Sequence, residues 1–421
     1  MDKFEKRIIG SYYKNYRKRK KITIKEISAL ANLSEAAISE FENGKTRPSE
    51  ETIRHIIKCY GTGFDLDISY LYERKRRLSE LVELYCRYDL VKFNKHVEQI
   101  RSQKKLYDSF FYPLSLLCEY YQMISSEFEL SEKMAPHMLA DEINNCYDAL
   151  FEDEKLLFGI FTYQHKYKES EYKAYHYLKS IYQAHLSSTS MLIPVTKYLL
   201  AYSEDIIKNY YEEIRLLEEA TKLFIVNGYV LRALFCLNDL SLAYNNVFDY
   251  ESAVQSAEKA LRIAEQINDV EMFARVINNL SIIHHEKGEY EKAKEYADTL
   301  KEKQDFSLSA YSILVVANMR LGEIDLAKEK LCKLEQLNSI RNDEHYNHFI
   351  RVNRAKLYNK KGPHYFSALK AYLNYAIVNL PLTRSIRIYE DLIEYCKDNS
   401  MFEELMIYQN KIFECYKEIK K

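Results

Sequence analysis

The sequence predicts an all-α protein in two parts: a small basic head of four helices, then a right-handed α-solenoid of stacked helical hairpins. Three observations lead there. Residues 22–47, ITIKEISALANLSEAAISEFENGKTR, read as two short helices joined by a tight turn. Residues 237–260 and 277–300 repeat each other at an offset of 40. The chain of 421 residues holds 9 glycines and 6 prolines but 38 tyrosines. That is too few turn formers for a many-stranded sheet and too much apolar surface for disorder.

The elements follow in order. Residues 1–21 carry nine Lys or Arg against Asp2 and Glu5, with Ile8, Ile9, Tyr12, Tyr13 and Tyr16 as the apolar stripe of a first helix. Lys14, Lys18 and Lys21 share a face of it. Thr23 and Glu26 form a capping box for the next helix, in which Ile27, Leu30 and Ala31 recur at helical spacing. Asn32 tolerates the left-handed conformation needed to reverse the chain, and Ser34 caps the following helix. Ile38 and Phe41 are its buried positions, and Asn43-Gly44 ends it. Pro48-Ser49 opens a fourth helix with Ile53, Ile56, Ile57 and Tyr60 as its apolar positions. Gly61, Gly63, Asp65 and Asp67 mark a boundary. Arg74–Arg77 near the start of the next helix read as a solvated linker helix in preference to an added contact with the DNA backbone. The expected domains are 1–66 for the head, 67–105 for a linker with the first helices of the array, and 106–421 for the repeats.

Two helices joined by a short turn, the second presenting small and polar residues at its start, is a geometry that enters a DNA major groove. Residues 6–61 resemble the helix-turn-helix domain of the lambda-repressor, Cro and XRE type, through Thr23, Glu26, Ile27, Ser34, Ile38, Ser39, Phe41, Glu42, Asn43 and Gly44. The resemblance implies double-stranded DNA as partner, with Glu35, Ala36, Ser39 and Glu40 reaching base edges. Ala36 or Ala37 could meet a thymine methyl, and a glutamate can accept from cytosine. Thr23, Lys25 and Ser34 at the helix starts, and Lys45, Thr46 and Arg47 behind the second helix, complete the expected DNA-contacting set. The family also pairs an arginine of the first helix with a late glutamate, here Arg17 and Glu42, as a structural pair. Ile24 and Glu35 stand where the family often has glutamine.

In the repeats, Asn238 matches Asn278, Leu240 matches Leu280, Tyr250 matches Tyr290 and Ala253 matches Ala293. The next unit keeps the pattern at an offset of 34, Gly288 to Gly322 and Ala293 to Ala327, and another follows at Gly362, Tyr365 and Ala368. The pattern resembles the tetratricopeptide repeat, whose period is ~34 residues; 40 implies longer helices or loops. Stacked hairpins form a concave groove that suits an extended peptide. The position that faces this groove in the repeat family falls on Asn238, Asn278, Ser312 and Asn353. Such a ladder can hydrogen-bond a peptide backbone without reading its side chains.

The charge divides between the parts. Residues 1–63 carry +6 and the remainder −7, which confines nucleic-acid binding to the head. Eight cysteines show no CxxC pair and read as reduced thiols. No apolar run suits a signal peptide or a membrane span, so the expectation is cytoplasmic, with no membrane partner. His284-His285 and His345-x-x-His348 fit no ligand motif, and His284 takes the slot of Tyr244, so no metal is expected. No catalytic motif or cofactor site is present, and an enzyme is not expected.

A helix-turn-helix head on a tetratricopeptide array resembles the bacterial pheromone-sensing regulators, the class that includes Rgg, NprR, PlcR and PrgX. The resemblance implies a homodimer that controls transcription and a short signalling peptide as ligand. Two alternatives stand beside it: a regulator whose array binds a protein partner, and an interaction protein that binds a response regulator without DNA.

Overall fold

The structure, a computed structural model, describes residues 3–45, 48–61, 69–102, 112–125, 136–303 and 305–419. Those residues form 22 α-helices and one short 3-10 turn, with no strand among them. The chain divides into two compact units, 1–196 and 197–421.

Unit one opens with the head: α1 (Lys3–Arg19), α2 (Ile24–Ala31), α3 (Glu35–Glu42) and α4 (Glu50–Cys59). Its core is the predicted set except for Leu30, which is exposed on the outer face of α2 and needs correction. Ile8, Ile9, Tyr13, Ile27, Ile38, Phe41, Ile53, Ile56, Ile57 and Tyr60 are all buried. Tyr13, Phe41 and Tyr60 pack in a triangle with ring centroids 5.1–6.3 Å apart. Each such burial stabilises by about 1.5–3 kcal/mol. Asn32 is left-handed, at φ 51°. Gly44 takes φ +64°, and a Cβ there would come within 2.3 Å of the Arg7 Cα. A Cβ on Gly10 would lie 2.0 Å from the Phe41 carbonyl oxygen. The close crossing of α1 over the end of α3 therefore depends on both glycines.

The rest of unit one holds α5 (Ser69–Arg87), α6 (Leu90–Ser102), α7 (Tyr112–Ser125), α8 (Pro136–Asn145), the 3-10 turn Tyr147–Ala149, α9 (Glu152–Glu169) and α10 (Glu171–Ala184). The linker expectation for Arg74–Arg77 needs correction. Arg74 is fully buried, its guanidinium gripping Glu154 on α9 and donating to the Ala149 carbonyl at 2.9 Å. Arg76 and Arg77 pair with Glu73 on their own helix. The sequence showed a run of four cations; only the fold decides which one points inward.

From α11 (Ile193–Ile206) the chain enters unit two: α12 (Tyr210–Val226), α13 (Val230–Asn246), α14 (Tyr250–Gln266), α15 (Val270–Lys287), α16 (Tyr290–Leu300), α17 (Ser307–Arg320), α18 (Ile324–Arg341), α19 (Glu344–Asn359), α20 (Pro363–Asn379), α21 (Leu382–Asp398) and α22 (Phe402–Ile419). From α12 on, each helix packs on the next, and α13, α15 and α17 also touch in series. Left-handed residues at 208, 228, 248, 268 and 288 turn the chain once per helix, which is half the 40-residue period. Ala253, Ala257, Ala293, Ala297 and Ala327 are fully buried at the helix crossings. The shorter offset of 34 arises because α16 and α17 have 11 and 14 residues where α14 and α15 have 17 and 18. The last helices return to the first: Leu382, Ile386 and Ile419 share a cluster with Tyr210.

Candidate nucleic-acid interface and candidate peptide groove

The head's geometry starts from its caps. The Thr23 side chain accepts from the Glu26 amide at 3.2 Å while Glu26 accepts from the Thr23 amide at 2.6 Å. That backbone bond holds the Glu26 carboxyl below its ordinary value. Ser34 Oγ accepts from the Ala37 amide at 3.2 Å. Behind α3, Arg17 donates to both oxygens of Glu42, at 2.5 and 2.8 Å, and to the Ile22 carbonyl at 2.9 Å. The Tyr60 hydroxyl donates to the same Glu42 at 2.7 Å. Arg17 is pushed up by this bond, and burial pushes the Tyr60 phenol up. The sequence pointed to Arg17 and Glu42 but not to Tyr60.

Of the expected DNA contacts, Thr23, Lys25, Ser34, Glu35, Ala36 and Lys45 are exposed; Ala37, Ser39 and Glu40 are half-buried. Lys25 and Lys45 form no ion pair among the described residues, so their charges are free for a phosphate. Thr46 and Arg47 lie outside the described residues. Lys14 donates to the Asn43 side chain at 2.8 Å, and Lys18 and Lys21 are exposed.

In unit two, the four groove candidates sit on α13, α15, α17 and α19. Asn238 accepts from Asn279 at 2.9 Å and donates to Asp239 at 3.1 Å. The Asn278 side-chain oxygen is buried and has no partner among the described residues. Ser312 donates to the Ser309 carbonyl, and Asn353 to the Phe349 carbonyl. Asn353 lines a cavity of about 540 Å³ and Ser312 a neighbouring one of about 170 Å³. Asn238 and Asn278 line neither. Sequence reasoning missed Arg384 and Arg387 of α21, which enter the larger cavity from a helix outside the ladder. Arg387 donates to Glu286 at 3.0 Å and to the Tyr250 hydroxyl at 3.1 Å.

Among the histidines, His284 is buried, stacked on Tyr296 at 5.5 Å and bonded to Glu289 at 2.8 Å. Burial holds His345 down to about 4. No cluster of metal-ligating residues occurs among the described residues, and none of their helices is long and apolar enough to cross a membrane.

Glu213 on α12 is buried, with Oε2 unpartnered among the described residues. Burial first, then Asp205, Asp239 and Glu204, push its carboxyl from 4.5 up to about 10. Between those values the folded chain holds a proton that the unfolded chain has released. The stabilising contribution is therefore present at low pH and fades as pH rises through that window. Glu213→Gln is expected to raise the melting temperature of the full chain at about pH 8.5 and to leave it unchanged at about pH 4. Equal gains at both would contradict the buried, protonated state.

Residues 14–66 match the helix-turn-helix family, and residues 236–270 match the tetratricopeptide repeat family. No curated protein matches the sequence. Solved structures share the fold at low identity. A Rap protein complexed with Competence and Sporulation Factor superimposes with a TM-score of 0.60 at 16% identity, covering 83% of this chain and 99% of that one. The apo form of the quorum sensor NprR from B. thuringiensis gives 0.58 at 17%, covering 82% and 99%. NprR in complex with its cognate peptide NprX gives 0.53 at 18%, covering 81% and 99%. The chain thus carries an XRE-type helix-turn-helix domain on a tetratricopeptide array, in the fold of these proteins.

Proposed function

From this pairing of head and array we infer a transcription regulator that binds operator DNA as a dimer and is switched by a short peptide in the groove of unit two. The observation that carries the inference is the head. Its recognition helix is locked from behind by Arg17, Glu42 and Tyr60, while the first turns of α2 and α3 and the unpaired Lys25 and Lys45 face solvent. Two features support the switch: a buried side-chain oxygen at Asn278 with no partner among the described residues, and, elsewhere in unit two, a cavity lined by Asn353 that is large enough for side chains. A peptide acts by favouring one arrangement of the two heads, whose spacing must match about one DNA turn, ~34 Å, or a multiple of it. It shifts that balance only by its difference in affinity for the two arrangements.

The test is selection of fragments from the source genome by the full-length protein, followed by salt titration. A discrete site with a steep salt dependence is expected. Lys25→Ala and Lys45→Ala are each expected to weaken binding to all sequences and to flatten the salt slope by about one unit. Weak binding indifferent to both changes would favour the second reading, a partner-binding protein. Glu35 supports that reading: it places an acid on the exposed start of α3.

A further inference from the structure

We propose that Arg384, with His285 beside it, anchors a carboxylate of the bound peptide; this rests on the peptide-groove reading. Arg384 lies at the junction of the two cavities and, with His285, Val316 and Phe349, lines both. Of the other charges of the larger cavity, all but Arg320 are matched. Lys356 holds Asp391 at 2.8 Å, Lys360 holds Glu394 at 2.6 Å, and Arg387 reaches Glu286 at 3.0 Å and Glu390 at 3.2 Å.

Arg384 is not so matched. Its one ion-pair contact among the described residues is Glu286 at 3.6 Å, too long for a hydrogen bond, and Glu286 is already held by Arg387. A guanidinium is a planar fork of donors without an acceptor. Val316, Phe349 and Tyr346 wall the fork on the protein side, and the rest of it stays open to solvent and to a ligand. His285 adds a second unmet group: its Nε2 is buried and has no partner among the described residues.

The lining carries one more cation than anion, with Arg384 and Arg320 left over, and this asks for an anionic ligand. A carboxylate meets the fork with two parallel hydrogen bonds, and the unpartnered His285 Nε2 stands beside the same ligand. A phosphate dianion would be repelled by Glu286. The carboxylate could be the peptide's C-terminus or an aspartate or glutamate side chain.

The experiment uses the full-length protein and three random libraries of short peptides. One has free C-terminal carboxylates, one is amidated, and one is amidated and lacks Asp and Glu. Wild type is expected to retain peptides from the first library. Arg384→Gln should weaken them about 10- to 100-fold, the worth of a charged hydrogen bond, with no change in melting temperature. Arg384→Lys should recover part of the loss. Loss of retention on amidation assigns the anchor to the C-terminus; loss only when acidic residues are also removed assigns it to a side chain. Equally tight binding of the third library by wild type overturns the anchor without any variant. Unchanged affinity in Arg384→Gln also overturns it, while the groove reading survives. Retention of no peptide at all overturns both.

Discussion

Arg17→Ala is expected to unfold the head and, with it, to remove the DNA binding proposed above. Arg17 is buried and joins three elements: Glu42 at the end of the recognition helix, the Ile22 carbonyl in the turn after α1, and, through Glu42, the Tyr60 hydroxyl at the end of α4. Removing one partner of a buried pair costs about 3–5 kcal/mol because the other charge is left without compensation. Here the stranded group is Glu42, only 1% exposed. Its one remaining partner, Tyr60, donates a single hydrogen bond. Hydrogen exchange across residues 6–61 of the full chain checks this directly. Protection should collapse in the head and persist beyond residue 136. A variant that keeps wild-type protection in the head would show that the pair is dispensable.

The second large effect lies outside the head. Glu154→Ala removes the carboxylate that the Arg74 guanidinium grips, and the Arg74 side chain is completely buried. Glu154 accepts from Arg74 Nε at 2.8 Å and also caps its own helix, taking the Phe151 amide at 2.8 Å. The change therefore removes an ion-pair partner and a helix cap together. The first costs about 3–5 kcal/mol and the second about 1 kcal/mol. For a unit of this size each kcal/mol lowers the melting temperature by about 2–4 °C, so a fall of roughly 8–24 °C is expected. The unchanged Ala149 carbonyl and the Phe151 ring, 4.8 Å from the guanidinium, do not replace a negative charge. Glu154→Gln, which keeps the cap and loses the charge, should fall between the two. A melting curve indistinguishable from wild type would mean that Arg74 finds water on losing its partner.

The candidate sites were unevenly legible. The caps at Thr23 and Ser34 could be read because a cap joins residues three apart, and the spacing itself is the signal. The Arg17–Glu42 pair spans 25 residues and came only with the family pattern. Ser312 and Asn353 were found by counting along the repeat, and both line cavities. Arg384 was not found, because α21 carries no match to the ladder position and its sequence reads as an ordinary amphipathic helix. Its bearing on the groove depends on where α21 packs, which no local period encodes.

The sequence by itself determined the helical class, the capped turn that builds the head, and the repeating hairpins with their alanine crossings. These are short-range properties: backbone bonds within one turn, and a period that each hairpin copies from the last. Tertiary structure alone decided which cation of the Arg74–Arg77 run is buried and which charges meet in the groove. Arg74 and Glu154 are 80 residues apart, Arg387 and Glu286 are 101 apart, and Arg387 and Tyr250 are 137 apart. A buried charge is tolerated only beside its partner, and that partner is set by how successive helices accumulate their small rotations rather than by any residue nearby in the chain.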